Sequence, residues 1–126
     1  MKVGVLGSGQ VAQVLARGFR DKGHEVRIGS RDPEKLRTFA EEAKVGAGTF
    51  AEAAAFAELV VLAVKGTAAR AALELAGEGA IAGKVVVDVT NPIAETPPDG
   101  PVLRFFTGPN ESLMEALQAR FPAARF

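Results

Sequence analysis

Short, continuously apolar runs alternate along this chain with stretches whose apolar residues recur at helical spacing. The runs at residues 2–6, 25–29, 59–64 and 84–89 are rich in Val and Ile and have the length of strands, with a weaker fifth near 45–47. Helical stretches occupy 10–22, 33–43, 51–56 and 67–76, and another follows at 113–120. This alternation predicts an α/β fold, doubly wound around a mainly parallel sheet with right-handed crossovers. VVLAV at 60–64 and VVVDV at 85–89 are apolar at nearly every position. Strands buried on both faces look like this, so both are expected in the middle of the sheet.

Capping residues punctuate the pattern. Asp32-Pro33 reads as an N-cap followed by N1, and Gly23 stands where a glycine should end the first helix. Gly77 and Gly79 are expected to end the fourth helix. Ser112 and Glu115 have capping-box spacing, with Asn110 a rival cap. Leu113, Leu117 and Phe121 repeat at helical spacing and should be core. The stretch 94–110, containing ETPPDGP, is the longest loop, and loops of that length are usually functional or mobile. Ala124-Arg125-Phe126 looks like the entry to a sixth strand, the last strand of a complete doubly wound domain. Residues 1–126 are therefore expected to be one domain lacking a complete sixth strand and C-terminal segment, and part of a longer chain.

Chemistry is concentrated where the first strand ends. Val3 to Leu6 run into Gly7-Ser8-Gly9-Gln10-Val11-Ala12, a G-x-G-x-x-A pattern between a strand and a helix, which is what a dinucleotide diphosphate requires. Gly7 can turn at positive φ. Gly9 lets backbone approach the phosphates, and Ala12 lets the helix pack closely. The first helical N–H groups and the helix dipole then face the anion.

The second strand, EVRIG, identifies the dinucleotide. An NAD site carries an acid at that strand's end, on the ribose 2′-hydroxyl. Here the place belongs to Gly29, followed by Ser30, Arg31 and, one helical turn on, Lys35. A hydroxyl, a planar fork and a point charge suit a 2′-phosphate, which an acid would repel. After surface screening, even about 2 kcal/mol in total prefers NADP over NAD roughly thirtyfold. Asp32 is assigned to the helix cap and not to the cofactor.

Composition narrows the reaction. The chain has no Cys, Tyr or Trp and a single His, which excludes thiolate chemistry, a Tyr–Lys proton donor and a His-rich metal site. A formal net charge of zero without a basic run gives nucleic acid no footprint. No apolar run approaches the roughly 20 residues of a membrane span. No signal peptide is read at the start, so a cytoplasmic protein is expected.

The glycine turn GSGQVA, the GSR ending of the second strand, Lys35 four residues after Arg31, and VVVDVTNP together resemble the NADP-dependent oxidoreductases of the coenzyme F420 type. The resemblance covers nearly all 126 residues, as that family's N-terminal domain. It implies a Rossmann fold and hydride transfer between NADP(H) and a deazaflavin such as F420, a flavin, or a ferric acceptor. Carried over, Ser8, Gly9, Gln10 and Val11 would line the diphosphate, and Ser30, Arg31 and Lys35 the 2′-phosphate. Val64 and Lys65 would lie beside the ribose or diphosphate, and Asn91 and Pro92 would approach the nicotinamide. Where this chain has Lys65-Gly66, some members carry Pro and an aromatic. The family's later helical segment, which helps form the acceptor site, does not follow.

Hydride exchange between a nicotinamide and a flavin-like ring needs alignment, water exclusion and electrostatic tuning, not a protein acid. No catalytic residue and no metal are assigned. His24 should be structural, at the far end of the sheet. Asp88, in an apolar strand, should be structural with a partner. One of Phe105 and Phe106 could cover an acceptor ring, and at least one should pack in the core. Arg104 is read as a surface arginine that could attract an anionic acceptor. Expected partners are a small-molecule acceptor and a second copy as candidate homodimer, with no nucleic acid and no membrane. The rival functions are an NADP(H) sensor or binding module without catalysis, and the dinucleotide domain of an imine reductase such as pyrroline-5-carboxylate reductase.

Overall fold

The computed structural model describes residues 1–95 and 102–126; the centre of the predicted 94–110 loop, with most of ETPPDGP, lies outside the described residues. Five strands form one parallel sheet: β1 (Lys2–Leu6), β2 (Glu25–Gly29), β3 (Gly46–Gly48), β4 (Leu59–Leu62) and β5 (Val85–Asp88), in the order β3-β2-β1-β4-β5. The helices are α1 (Gln10–Asp21), α2 (Arg37–Ala43), α3 (Phe50–Phe56), α4 (Ala69–Ala76), α5 (Glu78–Ile81) and α6 (Leu113–Arg120). Single 3-10 turns at Pro33–Leu36 and Gly66–Ala68 lead into α2 and α4, so both predicted helices begin more tightly wound than expected. Strand order reverses between β1 and β4, where doubly wound folds bind ligands.

Two apolar layers sandwich the sheet. Ala12, Ala16, Leu36 and Phe39 pack over Val3, Val5, Ile28 and Val61 on one face. Ala53, Ala54, Leu73, Leu117 and Phe121 pack over Leu6, Val60, Leu62 and Val86 on the other. The close seat of α3 explains a glycine. A Cβ on Gly29 would stand 2.7 Å from Thr49 O and 2.8 Å from the Ala53 Cβ. Gly29 is thus demanded by packing against α3, as well as leaving the cofactor corner without an acid.

Several expectations change. β5 is not central. Among the described residues only Arg125 pairs beyond it, through one parallel bridge to Val85 with Arg125 N–H donating to Lys84 O at 3.0 Å, at the expected entry to a sixth strand. Val85 and Val87 are 46% and 39% exposed, because no described helix covers that face of β5. Gly79 does not end α4; Gly77 does, at φ 96°, and Gly79 lies inside α5, which the apolar pattern missed. Asp32 occupies the N-cap position and Pro33 follows it, but the carboxylate caps nothing. The hydroxyl of Ser30 accepts from Asp32 N–H instead, at 3.2 Å. Ser112 does cap α6, accepting from Glu115 N–H at 3.4 Å. A full capping box, unremarked in the sequence, joins Thr49 and Glu52 at the start of α3. Phe105 and Phe106 are both exposed, at 61% and 45%, so neither joins the core. They lie on a small antiparallel ribbon in which Ala94 N–H donates to Arg104 O and Phe106 N–H to Pro92 O. Among the described residues, no helix is long and apolar enough to cross a membrane.

Candidate functional site

β1 and β4 stop side by side, and the chain leaves them in opposite directions. Gly7 makes the turn at φ 142°, a region that L side chains rarely adopt. Its N–H donates to Gly29 O at 2.8 Å, and Ala63 N–H donates to Leu6 O at 2.8 Å, so the turn is held from both flanking strands. A Cβ on Gly7 would stand 2.2 Å from Ala63 O. At Gly9 a Cβ would meet nothing within 4 Å: that position opens onto free space. Gly9 is the N-cap of α1 and offers no side-chain cap, so the first amide groups of this 12-residue helix remain to meet an anion. Gln13, which the motif did not single out, steadies the turn by donating from Nε2 to Ser8 O at 3.1 Å.

The space in front of this turn is a cleft of two lobes, of about 490 and 450 Å³. Gly7, Ser8, Ser30, Arg31 and Lys35 line the first. Ser30 is buried at its base, with N–H donating to Gly48 O at 3.0 Å, while Arg31 and Lys35 stand exposed at its rim. Phe50, Ala71 and Leu75 provide an apolar wall opposite. Gln10, Val11 and Asn91 line the second lobe with Val89, Ile93 and Ala94. Gly9, Val64, Lys65, Thr67 and Glu95 border both, at the junction.

The expected site residues therefore converge, with one exception. Pro92 lines neither lobe and is half-buried, its carbonyl accepting from Phe106 N–H at 2.9 Å. Its neighbour approaches the turn after β4 so closely that a Cβ on Gly66 would stand 2.0 Å from Asn91 O. Asp88 shapes the same segment. Its Oδ1 accepts from Thr90 N–H at 2.9 Å and from the Thr90 hydroxyl at 2.6 Å, a local turn that satisfies the carboxylate. His24 sits at the other end of the sheet, with Nδ1 3.0 Å from the Met1 amine and its ring edge-on to Phe19. Thr67, Glu95, Leu75 and Ile93 were not anticipated. The rule that ligands lie beyond the carboxyl ends of parallel strands points to the segments holding Thr67 and Glu95, though not to which side chain faces the cleft.

The arrangement can hold an extended anion with a second phosphate at one end and a flat apolar group at the other. Comparison with known proteins agrees. The family described as NADP oxidoreductase, coenzyme F420-dependent, matches residues 2–92. The F420-dependent NADP reductase of Methanothermobacter marburgensis is 42% identical over 103 aligned positions, gaps included, and the match covers 74% of this chain and 46% of that protein. A crystal structure from Arthrobacter sp. FB24, assigned as an F420-dependent NADP-reductase, superposes with a TM-score of 0.91 at 39% identity, covering 98% of this chain and 59% of that one. An imine reductase from Streptomyces aurantiacus superposes more loosely, with a TM-score of 0.62 at 29% identity over 71% of this chain and 32% of its own. The chain thus spans less than two thirds of the length of each of these relatives.

Proposed function

The chain belongs to the coenzyme F420-dependent NADP oxidoreductase family, and on that premise we propose that it is the NADP(H)-binding domain of an enzyme exchanging hydride with a deazaflavin or flavin ring, a ferric acceptor being reduced one electron at a time through such a ring. The observation that carries this reading is the corner at the end of β2. Buried Ser30 and exposed Arg31 and Lys35 line the same lobe as the glycine turn, with no acid at the strand's end. That corner suits a 2′-phosphate, and the open position at Gly9 before the uncapped α1 suits the diphosphate.

Bound NADP(H) supplies the hydride. The chain's own residues bind, align and exclude water. Gly7, Ser8, Gly9 and Gln10 cradle the diphosphate, with Lys65 adding a positive charge at the junction of the lobes. Val11, Val64, Val89 and Ile93 give the second lobe apolar walls for the nicotinamide, and Asn91 offers it a polar contact. Among the lining residues there is no His, Cys or Tyr to relay a proton. A ring that takes hydride directly needs none of these, and on this reading Lys65 and Glu95, the ionisable groups at the junction of the lobes, bind rather than relay protons.

A second reading is an NADP(H)-binding module without turnover, since every lining residue assigned above serves cofactor binding and none is assigned to catalysis. Loss of NADPH absorbance with F420, FMN, FAD or a ferric chelate as acceptor separates the two. Turnover with any of these supports the enzyme. NADPH binding without turnover by the intact gene product supports the module, and failure to bind NADPH or NADP+ by calorimetry overturns both.

A further inference from the structure

Two segments meet across the middle of the cleft. Thr67 comes from the turn after β4 and Glu95 from the chain beyond β5, 28 residues later, and the Thr67 hydroxyl donates to Glu95 Oε1 at 2.9 Å. Both side chains are exposed, and both line each lobe, so the pair stands at the junction. Glu95 caps no helix and is not buried, so its placement here answers no evident need of the fold.

Its chemistry is informative because its neighbours are of the opposite kind. Apart from Asp32 beside the Arg31 corner, the rest of the cleft offers groups suited to anions: Arg31, Lys35, Lys65 and the amides of α1. A carboxylate is an acceptor only, with about four lone-pair sites, of which Thr67 occupies one. It repels phosphate and attracts hydroxyl groups. On the NADP(H) reading, the corner at Arg31 takes the 2′-phosphate, the turn at Gly7 the diphosphate, and the lobe lined by Val11 and Ile93 the nicotinamide. Between the diphosphate and the ring lies one hydroxyl-bearing unit, the nicotinamide-side ribose.

We propose that Glu95, steadied by Thr67, accepts hydrogen bonds from that ribose and so fixes how far the nicotinamide reaches into the second lobe. The assignment rests on the NADP(H) reading. It makes Glu95 a cofactor contact and Thr67 a positioning residue.

The test is calorimetric titration of the wild-type chain, Glu95→Ala, Glu95→Gln and Thr67→Val with two ligands. NADP+ has the nicotinamide ribose; 2′,5′-ADP lacks it but keeps the adenosine, both phosphate positions and the adenosine-side ribose. Glu95→Ala should weaken NADP+ roughly tenfold, about 1.4 kcal/mol, and leave 2′,5′-ADP no weaker. Glu95→Gln keeps an acceptor without the charge and should fall in between. Thr67→Val should cost NADP+ less than Glu95→Ala does. Glu95 is exposed, so unchanged circular dichroism is expected for its variants. Equal weakening of both ligands would assign Glu95 to the adenosine side or to a mere strap between loops and overturn the proposal. So would undiminished NADP+ affinity in Glu95→Ala. A wild-type chain that binds neither ligand would remove the NADP(H) reading itself, a different failure from wild-type binding that Glu95→Ala leaves untouched.

Discussion

The two lobes of the cleft are built by different means. The first grows directly from the ends of buried strands: Leu6, Ile28 and Leu62 are fully buried, and Gly7, Ser30 and Ala63 follow them within two residues. Its geometry is set by sheet register, so an anion held there meets backbone that cannot shift without disturbing the core. The second lobe is closed by the segment after β5 and its ribbon, which carries the exposed Phe105 and Phe106 and touches the β4 turn where Asn91 O crowds Gly66. The contrast suits the proposed chemistry. The invariable end of a cofactor is anchored on the rigid part, and the reacting end lies beside elements more easily shaped to an acceptor.

Damage to the rigid part should have the largest effect. Gly7→Ala places a methyl group 2.2 Å from Ala63 O on a residue at φ 142°. Strain and overpacking together should cost about 3 kcal/mol of stability, read as a lower urea midpoint, with NADP+ binding lost beyond detection. Native stability and binding in this variant would show that the turn is as adjustable as the ribbon, and the contrast between lobes would vanish.

Arg31→Ala sharpens the comparison within the first lobe. The side chain is exposed at the rim, so folding should be unaffected. NADPH affinity should fall roughly thirtyfold, corresponding to about 2 kcal/mol, while NADH affinity changes little. Salt should erode the difference, since the contact is only partly sheltered. Equal losses for the two coenzymes in competition titrations would detach the 2′-phosphate from this corner.

What was legible in the sequence follows the same division. β1, β2 and α6 fall on their expected residues because continuous apolar runs, glycine stops and a serine cap are local signals. β3 is only Gly46–Gly48, without an apolar residue larger than alanine, and exists because β2 offers it an edge at Arg27 to Gly29. The apolar run in β5 suggested burial on both faces, yet composition cannot say which faces a helix will cover. Ser30, Arg31 and Lys35 could be read from spacing, since all follow one strand end. Thr67 and Glu95 could not, because only tertiary closure brings them together. The phenylalanines were misjudged for a related reason: the ribbon stands away from the core, so both its faces leave a phenylalanine exposed, whereas hydrophobicity alone argues for the core.

Gly66→Ala probes the second lobe and should have the smallest effect of the three on cofactor binding. The added methyl would stand 2.0 Å from Asn91 O and 3.2 Å from the Pro92 Cα, so the segment after β5 must move away. Because that segment is not a sheet strand, the move should cost about 1 to 3 kcal/mol of stability and leave the sheet intact. Displacing Asn91 and Ile93 widens the nicotinamide lobe, while Ser30, Arg31 and the glycine turn stay in place. NADP+ should therefore weaken by about tenfold or less, and 2′,5′-ADP should bind as in the wild type. Were 2′,5′-ADP to weaken as much as NADP+, the strain would have passed through Lys65 into the first lobe, and the two halves of the cleft would be one mechanical unit.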